Sequence, residues 1–526
     1  MQNLPIGISE FPELRKRGCA YVDKTKHVYT LLTTHRRTFL SRPRRFGKSL
    51  LVSTLEAALQ GKKELFDGLW IADSSYNWAP YGVIRMDFSA LDSKTPEMLN
   101  QSFLKALNSI ATDYHLELPT HFIGVKDALA SLTIALHAKF GRVALLIDEY
   151  DYPILHALHS TELAKNIRTI IKEFSTVVKA LQAKIEVVFV TGISAFSKSG
   201  LSSGLNNLDN LTMNRNFFDI CGYTDEEVDL YFTEHMKAWA QEKEVPFSAL
   251  RKDLKTWYNG YCFKEKTPTI YSPFSLTCSL HIQELHNFWF ESATPQVLLD
   301  ELSKEERQNE CALLNIDQLE GTWDLLQTFE IESLPLPALL FQMGYLTIES
   351  YDSLTRNYQL KYPNLEVRAS FQRHLVALIT HKATTHINPL IGKIYGFLVQ
   401  EKMEDVVAVL TNILSDIPYP LHMNDEKFYH ALLQTIFSAA GIEVQSERIT
   451  SIGRMDLILE LPNVIYILEL KMNESPEIGI DQIEKQKYYE PFLGKDRKIL
   501  AVGMSFSRKK QIKRKNSTAI SPFVML

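Results

Sequence analysis

Along residues 1 to roughly 205, short continuous apolar runs alternate with longer stretches whose apolar positions recur every three to four residues. Short apolar runs read as strands and the longer period as helices, so this segment predicts a parallel sheet flanked by helices. Strands are expected at Thr38–Leu40, Gly82–Phe88, Val143–Ile147 and Ile185–Val190, and helices at Ser49–Gln60, Pro96–Thr112, Val125–Lys139 and Ser160–Gln182. Ser197–Asp209, rich in Ser, Gly and Asn, predicts a mobile loop leaving that domain. From Thr224 to about Gln400 the pattern is mostly helical, and Thr224-Asp225-Glu226-Glu227 fits a capping box. From about residue 402 the character changes again. A helix (Glu426–Ala440) precedes two largely apolar segments, Gly453–Leu459 and Val464–Lys471, which predict a hairpin. A helix over Asp481–Tyr489 and a last strand at Ile520–Leu526 follow. The expected organisation is an α/β parallel-sheet domain over 1–205, a helical lid and connector over 206–401, and a second α/β domain over 402–526.

A chain of 526 residues exceeds one core, in keeping with two to four domains. Hydrophobic content of 45% and charged content of 23% are those of an ordinary globular protein. The formal charge of −5 argues against an overall basic coat for nucleic acid but leaves room for local patches. One such run, Arg508 to Lys515, reads equally well as a phosphate contact and as a solvated turn. Five scattered cysteines show neither zinc spacing nor a disulfide framework. Met1-Gln2-Asn3-Leu4-Pro5 does not read as a signal peptide, and no apolar run is long enough to span a bilayer. The expectation is a cytoplasmic protein without membrane contact.

The first candidate chemistry lies between the first strand and the helix after it. Ser41-Arg42-Pro43-Arg44-Arg45-Phe46-Gly47-Lys48-Ser49 joins them with a loop ending in Gly-Lys-Ser, the context a phosphate-binding loop requires. A helix N-terminus offers unpaired N–H groups and partial positive charge to a phosphate. Gly47 lets the backbone approach, Lys48 reaches the terminal phosphates, and the Ser49 hydroxyl can ligate Mg²⁺. Arg44, Arg45, Phe46 and Leu50 complete the expected nucleotide contacts, while Arg42 stands where the motif's first glycine would be. A second piece is the run Val143–Ile147 ending in Asp148-Glu149-Tyr150-Asp151. Acids at the carboxyl end of a buried parallel strand sit where ligands bind in open α/β sheets. Asp148 is expected to hold Mg²⁺ through water and Glu149 to orient or deprotonate the attacking water. Thr191, closing the strand Ile185–Val190, is the candidate sensor of the terminal phosphate.

The second candidate chemistry lies on the C-terminal hairpin. Glu469 and Lys471 are two residues apart and so project from one face of their strand. Asp456 and Glu469 can share one or two Mg²⁺ ions, with Lys471 positioning water and offsetting phosphate charge. A salt-bridged hairpin is the plain alternative, yet such groups on near-continuous apolar strands are costly unless paired or metal-bound.

The N-terminal part resembles the AAA-ATPase-like proteins of bacteria and archaea that often carry a nuclease-like C-terminal domain. Leu4–Ile8, Tyr21–Thr25, Arg42–Leu50, Asp148–Asp151, Thr191–Ser197, Tyr258–Tyr261, Tyr271–Ser275 and Phe288–Ser292 carry the resemblance. That family normally lacks the first glycine, and it implies a P-loop NTPase that binds ATP. Residues 402–526 resemble the PD-(D/E)xK nuclease superfamily. Asp456 matches its metal-binding Asp and Glu469-x-Lys471 its (D/E)xK element. Glu426 matches the additional acidic metal ligand on the preceding helix, and Gln482, with Tyr488 as companion, the Gln that follows the motif. Met455 replaces the usual Pro. Together the resemblances imply an ATPase switch coupled to Mg²⁺-dependent phosphodiester hydrolysis of DNA or, second, RNA. The alternative is an NTP-controlled signalling switch whose nuclease-like domain binds nucleic acid or a partner without cleaving. An AAA-like module also admits a homo-oligomer, for which Arg168 and Arg215 are candidate arginine fingers by location.

Overall fold

Apolar runs flanked by turn residues build the first sheet. Its strands are β1 (Arg37–Ser41), β2 (Gly82–Asp87), β3 (Val143–Asp148), β4 (Ile185–Gly192) and the two-residue β5 (Asp209–Asn210). All pair in parallel, in the order β2-β3-β4-β1-β5. Every residue of β3 is buried, as its unbroken apolar run requires of a strand covered on both faces. The computed structural model describes residues 1–119, 122, 124–194, 208–289, 298, 319–327, 335–415, 426–449, 454–494, 497–509 and 517–521. The expected loop 197–209 and the basic run lie largely outside them, as do the residues after Ser521.

The helices α1 (Phe11–Lys16), α2 (Thr25–Thr33), α3 (Lys48–Leu59), α4 (Pro96–Asp113), α5 (Val125–Phe140), α6 (Tyr152–Ala157) and α7 (Thr161–Ala180) accompany this sheet. α7 shows why: Ala164, Ile167, Ile171, Phe174 and Val178 recur at helical spacing and are buried. Its start is set by Ser160, whose hydroxyl accepts from the Leu163 N–H. Next come α8 (Asp225–Glu242), α9 (Phe247–Tyr258) and α10 (Pro273–Ile282), around a core of Phe232, Trp239, Leu254, Tyr258 and Tyr271. The capping box of α8 forms as expected, with Thr224 and Glu227 bonding each other's backbone.

Contacts gather the chain into two compact units, one formed from Met1–Asp300 and Asp317–Asn364, the other containing Leu365–Leu526. The boundary between the units falls at Asn364, inside the span 206–401, and that span holds strands as well as helices. Helix α11 (Leu336–Met343) accompanies β6 (Glu320–Thr322), β7 (Thr347–Asp352) and β8 (Asn357–Lys361), an antiparallel sheet in the order β6-β8-β7. The four residues Glu349–Asp352 of β7 are exposed, so its pattern carries no strand-like alternation.

In the second unit, α12 (Leu365–Ile379), α13 (Thr384–Val399), α14 (Met403–Leu414) and α15 (Glu426–Ala439) precede the sheet β9 (Glu443–Ile449), β10 (Arg454–Glu460), β11 (Val464–Met472), β12 (Lys498–Lys509) and β13 (Ser517–Ser521). The spatial order is β13-β12-β11-β10-β9. The expected hairpin is β10 against β11, whereas β11 and β12 run parallel. Parallel neighbours need a crossover, and α16 (Pro476–Lys485) supplies it, packed on both strands. That helix begins five residues before the expected Asp481, capped by Ser475 with Pro476 in its first turn. Gln482 therefore lies near its C-terminal end and does not open it.

Candidate functional site

In the first unit, residues from well-separated parts of the chain meet beyond the carboxyl end of β1. The loop after β1 takes left-handed conformations at Arg45 (φ 62°) and Gly47 (φ 92°) before α3 starts at Lys48. A Cβ on Gly47 would touch nothing within 4 Å, so glycine is needed there for its backbone angle. Arg42, in the place of the missing glycine, is almost wholly buried and donates to the carbonyls of Thr212 (2.8 Å) and Phe217 (3.0 Å). Its guanidinium lies 4.1 Å from the Phe263 ring centroid, and burial pushes its pKa down to about 10. On the other side Trp289 Nε1 donates to the Arg44 carbonyl at 2.9 Å. The loop is therefore braced from outside, and the Thr212 and Phe217 contacts are ones a glycine at position 42 could not make.

Lys48 is 3% exposed, and its ammonium donates to the carbonyls of Arg42 (3.1 Å) and Pro43 (3.0 Å) and pairs with Glu149 at 3.3 Å. Two of the ammonium's three donors are thus held by loop carbonyls, and its charge is paired with Glu149. Glu149 holds a left-handed backbone (φ 49°), and its N–H bonds the Asp148 carboxylate at 3.0 Å. Asp148 is raised to about 6, chiefly by burial, against the lowering effect of its hydrogen bond from Ser49. Arg44, Arg45, Phe46, Gly47, Lys48, Ser49, Leu50 and Glu149 line a cavity of about 440 Å³. Asp148 adjoins it through Ser49, while Thr191 is fully buried, with its hydroxyl unpaired, and is not part of the wall. Beside the polar Lys24, Asp87 and Ser89, the lining also takes in Pro5–Ile8 from the N-terminus, Ile220–Tyr223 and Phe274, to which the sequence pattern gave no role. Their apolar character beside a cationic loop suits a flat heterocycle attached to phosphates.

Asp151 was also passed over. Wholly buried, its carboxylate accepts from Ile193 N–H (3.1 Å), Ser194 N–H (2.6 Å) and the Ser194 hydroxyl (2.5 Å). A side chain at Gly192 would press into that carboxylate, so the close approach needs glycine. Burial raises Asp151 to about 6. Asp151 ties the turn after β3 to the end of β4. Asp151→Ala is expected to cost about 3–5 kcal/mol in urea unfolding, since two buried N–H groups lose their acceptor. A loss below about 1 kcal/mol would show that the two strand ends hold without it.

The second unit gathers the other candidates. The β10–β11 register ends at Leu457 opposite Leu468, and just beyond that point lie Asp456 and Glu469. Asp456 Oδ2 accepts from Leu470 N–H at 2.9 Å, and the Asp456 N–H lies 3.4 Å from Glu469 Oε1. Glu469 is 1% exposed; its Oε2 has no hydrogen bond, and Lys471 Nζ stands 3.5 Å away. Burial first, and the Asp456 carboxylate second, raise the Glu469 pKa well above the ordinary range. Lys471 Nζ donates to Gln482 Oε1 at 2.8 Å, and Tyr488 donates to the Arg454 carbonyl at 3.0 Å. Asp456, Glu469, Lys471 and Gln482 are thus brought together. Glu426 begins α15, but its side chain lies outside the described residues. Among the described residues no group of three or more His, Cys, Asp or Glu side chains converges. Two carboxylates suffice for Mg²⁺, which keeps several waters and takes its remaining ligands from phosphate. A buried carboxylate oxygen without a partner is what such a cation would satisfy.

A braced Gly-Lys-Ser loop beside a buried Asp148 and a half-buried Glu149, and a carboxylate pair with Lys on a splayed hairpin, define a class: a phosphate-loop protein joined to a nuclease-like domain. Family comparison agrees. Residues 5–202 match the family model described as "Predicted AAA-ATPase", and residues 424–516 match that of the PD-(D/E)XK nuclease superfamily. An Azotobacter chroococcum mcd 1 protein, titled "Uncharacterized protein in vnfD 5'region", is 32% identical over 96% of this chain and 97% of its own length. The chain belongs to the AAA-ATPase-like family that carries a C-terminal PD-(D/E)XK nuclease-superfamily domain. No helix among the described residues is long and apolar enough to cross a membrane.

Proposed function

We propose that this protein binds and hydrolyses ATP and couples that cycle to Mg²⁺-dependent cleavage of phosphodiester bonds in nucleic acid, DNA before RNA. The observation that carries the nuclease half is the buried, unbonded Glu469 Oε2 beside Asp456 and Lys471. Pure binding would leave no reason to keep that group where burial penalises it. Asp456 and Glu469 would hold Mg²⁺, with Glu426 as a further ligand. When bound, the metal neutralises phosphate charge and eases deprotonation of water. Lys471, held by Gln482, positions the attacking water and offsets charge as it develops on the phosphate.

In the nucleotide site, Lys48 exchanges its loop carbonyls for the terminal phosphates, and Ser49 with Asp148 would hold the accompanying Mg²⁺. Glu149, released from Lys48, orients or deprotonates water, and Thr191 senses the terminal phosphate from beneath. Pro5–Ile8, Tyr223 and Phe274 enclose the base. A cytoplasmic setting and a homo-oligomer fit this reading.

The test is cleavage of supercoiled plasmid and single-stranded DNA in Mg²⁺, with and without ATP. Wild type is expected to cut and Lys471→Ala to fall by at least about a hundredfold, as removal of a charge-stabilising group does. A wild type that cuts none of the DNA or RNA offered, in Mg²⁺ or Mn²⁺, overturns the catalytic reading.

A further inference from the structure

In the second unit the β10–β11 ladder stops short of Asp456. β10 pairs with β11 only from Leu457 onward, and its register against β9 passes from Met455 to Leu457 without Asp456. A backbone carbonyl and N–H that lose their strand partners inside a protein need others. At Asp456 side chains supply both. The N–H has Glu469 Oε1 at 3.4 Å, and the carbonyl has His430 Nε2 at 2.7 Å. A carbonyl only accepts, so the His430 proton must sit on Nε2. His430 comes from α15, one turn after Glu426, and that helix packs on β10 and β11.

We propose that His430 is a positioning residue for the carboxylate pair. It holds the Asp456 backbone away from the ladder, so that Oδ2 stays on the Leu470 N–H with Glu469 alongside. The inference rests on reading this cleft as a Mg²⁺ site. Without the imidazole donor, the Asp456 carbonyl is free to rejoin a strand, and the peptide rotation that allows this swings the carboxylate away from Glu469. Groups that orient metal ligands from behind commonly govern affinity or activity by about 10–100-fold.

Three variants separate positioning from bulk packing. His430→Phe keeps a ring without the donor, His430→Leu is a smaller variant also without it, and His430→Gln restores an N–H at the end of its side chain. Each is melted in EDTA and across a Mg²⁺ series, and assayed for plasmid cleavage with kcat and KM resolved. The donor-less variant that folds is expected to keep its KM for DNA and lose about tenfold or more in kcat and in Mg²⁺ affinity. His430→Gln should recover most of that loss. A donor-less variant with wild-type metal response and kcat overturns the inference while leaving the Mg²⁺ site standing. His430→Gln as defective as His430→Phe, though folded, also overturns it. A wild type without any metal response overturns the underlying reading and the inference together.

Discussion

Lys48→Ala is expected to lower ATP affinity at least about a hundredfold, a loss near 2.7 kcal/mol, while the fold persists. The ammonium lines the cavity from the start of α3, and its present partners are two loop carbonyls and Glu149. Of these, Glu149 borders the cavity, where water can replace a lost donor. The brace of the loop is separate, made by Arg42 to Thr212 and Phe217 and by Trp289 to Arg44. Titration calorimetry with circular dichroism checks both parts. Unchanged affinity in a folded variant sinks the phosphate-loop assignment. Glu149→Gln should differ in kind, keeping ATP bound and slowing its hydrolysis by about 10²–10⁴-fold. Loss of binding there would instead make the Lys48–Glu149 pair a structural tie.

The two sites were not equally legible. Strand, loop and helix from Arg37 to Leu59 could be read because continuous apolar residues, Gly-Lys-Ser and a helical repeat follow one another without a gap. β3 was readable for the same reason, the hairpin put Asp456 near Glu469, and the period of two put Glu469 and Lys471 on one face. What stayed hidden depends on partners far away in the chain. Arg42 looks like a defect in a motif until the Thr212 and Phe217 carbonyls are placed beside it. Asp151 looks like one more acid in a turn until Ile193 and Ser194 arrive. His430 looks like an ordinary helix residue until the ladder breaks at Asp456. The start of α16 is a different matter. Ser475-Pro476 is a local capping signal, and the helix could have been placed there from the sequence itself.

The other large effect concerns metal in the second unit, and it turns on the sign of an electrostatic term. Two carboxylates share a cleft, and both burial and Asp456 raise the pKa of Glu469. A group whose folded pKa lies above its unfolded value contributes stability at low pH. That contribution is lost as pH rises through the folded value. The metal-free protein should therefore melt progressively lower as pH climbs from the ordinary glutamate range through the raised pKa of Glu469. Mg²⁺ binds the ionised pair, so its stabilising shift should grow over the same interval. At a concentration about a hundred times its Kd, a ligand bound only to the folded state adds about 2.7 kcal/mol, or about 5–10 °C for a unit of this size. Asp456→Asn is expected to abolish that shift and all cleavage, yet to leave the metal-free melting point unchanged or higher, because it removes a like charge from beside Glu469. Lys471→Ala should lower the metal-free melting point, since it strips Glu469 of its only nearby cation among the described residues, while retaining a Mg²⁺ shift and losing cleavage. A purely structural ion cluster predicts the reverse for Asp456→Asn: lower stability without metal, and no Mg²⁺ shift even in the wild type. Melting curves of the three proteins across pH and Mg²⁺ separate the two cases, and a flat wild-type response to Mg²⁺ and Mn²⁺ at every pH would leave the carboxylate pair without a catalytic role.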